Sequence, residues 1–128
     1  MSNIWIVDDD AEMRGAVELM LKVLEHQPQG FSNAPAAAEG LLSGPAPDVM
    51  LVDVNMPEVS GLDLVEFIRR RGQWKELCVL MLSTEASDVT VDRALRLGAD
   101  GYITKPVTIE ELERSLRSAR EKRRKGVI

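Results

Sequence analysis

Cysteine is nearly missing from this chain: Cys78 is the only one among 128 residues. A single thiol forms no internal disulfide, so the fold must hold by packing, and the composition suits a reducing cytoplasm. Set inside an apolar run, Cys78 reads as a small buried hydrophobe. Histidine is equally scarce. His26 stands alone, and no Cys/His cluster exists to bind zinc. No apolar stretch approaches the ~20 residues of a membrane span. The N-terminus has no basic region leading into an apolar segment, so neither a membrane helix nor a secretory signal is expected.

The residues that are present describe one ordinary globular domain, 45% hydrophobic and 29% charged. The net charge of −5 conceals an asymmetry. Residues 1–113 carry 9 basic and 20 acidic side chains, and residues 114–128 carry 7 basic and 1 acidic. An acidic body repels nucleic-acid phosphates, so direct nucleic-acid binding is not expected. The basic end, Arg114, Arg117, Arg120 and Lys122 to Lys125, reads first as a solvated helix face and second as a docking surface for an acidic partner. Arg69-Arg70-Arg71 likewise reads as solvated surface.

Short apolar runs alternate with segments of helical period. Ile4 to Val7, Val49 to Val52, Leu77 to Leu82 and Tyr102 to Thr104 are strand candidates, with a weaker one at Gln29 to Ala34. Met13, Val17, Met20, Leu21 and Leu24 recur on one face of a first helix. Pro35 opens a second through Leu42, and Gly61 precedes a third with Leu64, Val65 and Ile68 inward. Ser87 caps a fourth, with Val91, Ala94 and Leu95 inward and Gly98 closing it. Thr108 to Glu111 forms a capping box for a fifth, with Leu112, Leu116 and Ala119 inward. Five β-α units with short connections predict an α/β fold with a parallel sheet covered on both faces. The expected domain spans residues 1–121, with 122–128 a basic tail or the start of a linker.

Four strands end at polar residues: Asp8-Asp9-Asp10, Asp53, Ser83-Thr84 and Lys105-Pro106. Open α/β sheets bind ligands at the carboxyl ends of their strands, so these groups are expected at one edge. Clustered carboxylates stay ionised only beside a cation, and Mg²⁺ is the natural one for oxygen ligands. A carboxylate, a divalent ion, a lysine and a hydroxyl are the parts that receive a phosphoryl group. Aspartate can itself be the acceptor, forming an acyl phosphate.

Ile6-Val7-Asp8-Asp9-Asp10, Val52 to Pro57 with Gly61, Leu82-Ser83-Thr84 and Gly98 to Pro106 together resemble the receiver domain of bacterial two-component response regulators. The likeness covers roughly residues 3–120. It implies a doubly wound, flavodoxin-like three-layer sandwich with five strands in the order 2-1-3-4-5 and five helices; the same family supplies a standard example of that order. It implies Asp53 as phosphoacceptor, and Mg²⁺ held by Asp9, Asp53 and the Asn55 backbone carbonyl, with Asp8 acting through water. Lys105 would contact the phosphoryl group, with a cis peptide to Pro106. Ser83 and Tyr102 would form the switch. Asn55 and Glu85 would tune phosphate lifetime, and an amide and a carboxylate there suggest a short-lived phosphorylated form. Thr84 is bulkier than the small residues common at its place.

The implied partners are a sensor histidine kinase or phosphotransfer protein upstream, and downstream a protein or effector domain at the fourth helix, fifth strand and fifth helix. That face could also carry a phosphorylation-dependent homodimer. The resemblance implies a signalling domain rather than a turnover enzyme. Two other classes compete. A haloacid-dehalogenase-like phosphohydrolase would use Asp8 with Asp10, though Glu12 stands where it needs Thr. A flavodoxin-like cofactor module would need glycines or hydroxyls in the first strand–helix loop, which is acidic.

Overall fold

The computed structural model describes residues 2–85 and 87–126, with side chains through Arg123. Strands and helices alternate: β1 (Asn3–Val7), α1 (Ala11–Val23), β2 (Gln27–Phe31), α2 (Ala34–Ser43), β3 (Val49–Asp53), α3 (Gly61–Arg69), β4 (Cys78–Ser83), α4 (Asp88–Leu97), β5 (Gly101–Thr104) and α5 (Ile109–Gly126). The five strands form one parallel sheet in the order β2-β1-β3-β4-β5, as expected for the flavodoxin-like arrangement.

Strand side chains alternate between faces, and both faces are covered. Trp5, Val7, Met50, Val52, Val79 and Met81 pack beneath α2, α3 and α4. Ile4, Ile6, Val49, Leu51, Leu80, Leu82 and Ile103 pack beneath α1 and α5, where Val17, Leu21, Leu112, Leu116 and Ala119 meet them. This two-sided burial explains why β1, β3 and β4 read as unbroken apolar runs. Cys78 lies within the second layer, buried as expected, and burial pushes its thiol up to about 12.

Helix starts follow local chemistry. Asp10, Asn33, Ser60 and Ser87 cap α1 to α4 by accepting from backbone N–H groups of the first turn. Ser60 and Asp63 complete a capping box. At the start of α5, the Thr108 hydroxyl accepts from Glu111 N at 3.2 Å. Gly98 ends α4 at φ +114°, in the left-handed region that favours glycine.

Several details depart from the sequence reading. β2 lies at Gln27–Phe31, two residues earlier than its weak signal. As an edge strand it tolerates Pro28, whose missing N–H costs the sheet nothing on its outer side. Leu95 is 41% exposed; Ala94 fills the inward position of α4. The helix α5 continues through Gly126, so residues 122–126 extend it. Arg69 is not solvated surface. Its guanidinium donates to the carbonyls of Gly98, Trp74 and Leu77 and to the Asp100 carboxylate, at 2.7–3.0 Å. Asp100 also accepts from Arg123 Nη1 at 3.3 Å and from Val79 N at 2.9 Å.

Candidate functional site

Sheet register assembles the site. Val7 pairs with Val52, so Asp8 follows β1 beside Asp53 at the end of β3. Asp53 pairs with Leu82, and Ser83 with Thr104, which brings the ends of β4 and β5 to the same edge. Lys105 follows β5 and reaches across: its Nζ lies 2.9 Å from Asp8 Oδ2 and 3.3 Å from Asp53 Oδ1. Carboxylate oxygens of Asp8, Asp9 and Asp53 all lie within 4.8 Å of one another. The expected convergence of the three acids and the lysine is therefore present, and the Lys105–Pro106 bond is cis as expected.

Each carboxylate has a distinct setting. Asp8 is fully buried and accepts from Asp10 N at 3.0 Å through Oδ1. Arg14 Nη1 donates to the Asp8 carbonyl at 2.7 Å, anchoring the loop from α1. The sequence reading missed Arg14, although a cation four residues past an acidic cluster was a usable signal. Asp9 is exposed. Asp53 is 5% exposed, and burial first, then the charge on Asp8, pushes its carboxyl up to about 6 against the pull of Lys105. Burial also works against the charge on Lys105. Its hydrogen bond to Asp8 and the charges of Asp53 and Asp8 prevail, holding its pKa above the usual lysine range.

The loop after β3 folds back tightly on the site. Gly61 N donates to Val54 O at 2.9 Å. A Cβ at Gly61 would lie 2.0 Å from the Asp53 carbonyl oxygen, so only glycine fits. Asn55 is exposed in this loop.

Across the sheet edge, Ser83 is fully buried and its Oγ accepts from Glu85 N at 3.0 Å. Tyr102 packs its ring against the α2–α4 layer and donates through its hydroxyl to the Glu85 carbonyl. Glu85 thus links Ser83 to Tyr102 through its backbone. Its carboxylate does not join the acidic cluster. Instead Glu85 Oε1 accepts from Thr90 Oγ1 at 2.7 Å and lies 3.2 Å from Ser87 Oγ, over the first turn of α4. Thr84 is exposed.

His26 lies away from this edge. It lines a cleft of about 610 Å³ with Leu24, Leu116, Arg117 and Arg120. Burial and neighbouring positive charge lower its pKa.

A doubly wound parallel sheet with three carboxylates and a lysine at its C-terminal edge defines a class of phosphate-handling α/β proteins, and the comparisons narrow it to one family. The response regulator receiver domain matches residues 4–117, and the chain belongs to that family. It is 37% identical over 118 residues to the chemotaxis protein CheY-3 of Vibrio cholerae, covering 88% of this chain and 87% of that protein. It is 34% identical to the chemotaxis protein CheY1 of Helicobacter pylori, covering 88% and 92%. Among solved structures, chemotaxis protein CheY4 of V. cholerae superposes with a TM-score of 0.83 at 29% identity, covering 93% of this chain and 98% of that one.

The chain is therefore a two-component response regulator receiver, a signalling domain of a kind that works with histidine kinases or phosphotransfer proteins and with downstream effectors. The haloacid-dehalogenase reading is not supported. Asp10, which that chemistry would use beside Asp8, instead caps α1 by accepting from Glu12 N and Met13 N. Among the described residues, no helix is long and apolar enough to cross a membrane.

Proposed function

We propose that this receiver accepts a phosphoryl group from a phosphohistidine on Asp53. The observation that carries the reading is the Asp53 carboxylate at the end of a central strand, with Lys105 at 3.3 Å and two further carboxylates within 4.8 Å. An Asp53 carboxylate oxygen attacks phosphorus and forms the new P–O bond. The P–N bond to the donor imidazole breaks, and its electron pair stays on the nitrogen. Lys105 would follow the phosphoryl oxygens, and Ser83, across the edge, would donate its hydroxyl to one of them.

The donor set fits Mg²⁺: hard oxygen ligands, crowded enough that Asp53 resists ionisation without a cation. Asp9 and Asp53, with the Asn55 backbone carbonyl, would hold the ion. Asp8, committed to Lys105 and Asp10 N, would act through water. Once bound, the ion would neutralise charge on the phosphoryl oxygens.

The proposed readout is the α4-β5-α5 face. Ser83 and Tyr102 both contact Glu85, so drawing Ser83 toward a phosphoryl group would shift the loop that Tyr102 holds. That face would serve a downstream partner, an effector domain or a second phosphorylated copy, and a cytoplasmic setting follows from the kinase chemistry. The test is incubation with acetyl phosphate and Mg²⁺, then intact mass and peptide mapping. One phosphoryl group on Asp53 is expected, with none on Asp53→Asn. Full labelling of Asp53→Asn, or labelling at Asp8, refutes the assignment.

A further inference from the structure

The Glu85 side chain is held by groups that the phosphoryl-transfer reading leaves unused. Thr90 Oγ1 donates to Glu85 Oε1 at 2.7 Å. Ser87 Oγ lies 2.9 Å from Thr90 Oγ1 and 3.2 Å from Glu85 Oε1. Ser87 Oγ also accepts from Thr90 N at 3.3 Å, which fixes the trio to the first turn of α4. The positive end of the α4 dipole favours a carboxylate there as well. Meanwhile the Glu85 backbone is tied to Ser83 and Tyr102. The residue therefore sits beside the site by its main chain while its charge is drawn off toward α4.

We propose that Thr90, supported by Ser87, is a positioning residue that parks the Glu85 carboxylate on α4 and thereby slows hydrolysis of the acyl phosphate. The inference rests on Asp53 being the phosphoacceptor. In the hydrolysis, a water oxygen attacks phosphorus and forms the new P–O bond. The bond from phosphorus to the Asp53 oxygen breaks, its electron pair returns the carboxylate, and inorganic phosphate leaves with the water's proton lost to a base. A carboxylate released from α4 can accept a hydrogen bond from that water and orient it. Parked, it cannot. The short phosphate lifetime that a glutamate at this place suggests is lengthened by the two hydroxyls of the next helix turn.

The test measures loss of phosphate from Asp53 after labelling with acetyl phosphate and Mg²⁺, by intact mass against time. Thr90→Val keeps the side-chain shape and removes the hydroxyl. It is expected to hasten dephosphorylation by about threefold or more, the low end of what one net hydrogen bond contributes, since Glu85 is exposed and keeps its contact with Ser87. Thr90→Ser, which restores the donor, is expected to decay like the wild type. In a Glu85→Ala background, Thr90→Val is expected to change nothing. An unchanged or slower decay in Thr90→Val overturns the proposal, as does an acceleration that persists without Glu85, because that effect would come from α4 itself. Wild-type protein that takes no phosphate on Asp53 overturns the phosphoacceptor reading as well, which separates that failure from failure of the tether alone.

Discussion

At the residue scale, Asp53 and Arg69 each carry a charge into the fold, against different partners. Asp53 follows an unbroken apolar strand, and a carboxylate in that position has few structural uses. Its cost to the fold follows from its titration. The folded carboxyl titrates near 6, above the ordinary 3.8, so the native state holds the proton more tightly than the unfolded chain. The penalty is absent below the unfolded value, grows as pH rises between the two, and is complete above the folded one. Asp53→Asn is accordingly expected to stabilise the metal-free protein by about 2 kcal/mol above that window and by nothing in acid. Urea melts in EDTA at several pH values check this; a variant no more stable than the wild type at neutral pH contradicts it. Arg69 misled because it lies in a run of three arginines. Nothing in the run shows that one guanidinium turns inward to three carbonyls and a carboxylate. Such a contact depends on where β4 and the end of α4 arrive, information spread over thirty residues.

At the element scale, caps and apolar faces were readable because they are local. Ser87 and Gly98 bound α4 for reasons contained within one turn. The interior face of α4 was less so: Leu95 matches the helical period, yet the neighbouring α3 and β5 leave it 41% exposed. β2 was weak because a half-exposed edge strand needs little apolar alternation; its register is set by pairing with β1. Two glycines provide a contrast in helix energetics. Gly98 is left-handed, and a Cβ there would lie 2.5 Å from Arg69 Cγ, a side chain pinned by four hydrogen bonds. Gly98→Ala is expected to cost about 2–3 kcal/mol. Gly15 lies inside α1 with nothing within 4 Å of its would-be Cβ. Gly15→Ala is expected to gain about 0.5–1 kcal/mol. Thermal or urea unfolding of both variants decides the matter, and equal effects at the two sites would contradict this account of the α4–β5 corner.

For the whole molecule, the sheet acts as an adapter that turns sequence-distant polar residues into one cluster. The two apolar layers press on opposite faces and fix the register, and the register alone brings Asp8, Asp53, Ser83 and Lys105 to a common edge. The parts were therefore visible in the sequence, whereas the strand order came from resemblance and the tether on Glu85 only from the folded structure. A cluster built this way stores electrostatic tension across several elements, so a bound cation should be felt by the global unfolding equilibrium. Any ligand that binds only the folded state stabilises it by mass action, about 2.7 kcal/mol at a hundred times its dissociation constant. Mg²⁺ is expected to raise the unfolding midpoint of the wild type well above the Asp53 titration. The gain should shrink below it, because the proton on Asp53 then competes with the ion. Asp9→Asn should blunt the gain at both pH values, since Asp9 is the exposed member of the trio and makes the open side of the site. Denaturant melts with and without Mg²⁺, repeated with Ca²⁺ to judge selectivity, measure this directly. A Mg²⁺ effect that is the same in the wild type and Asp9→Asn would mean that the ion stabilises the fold from somewhere other than this sheet edge.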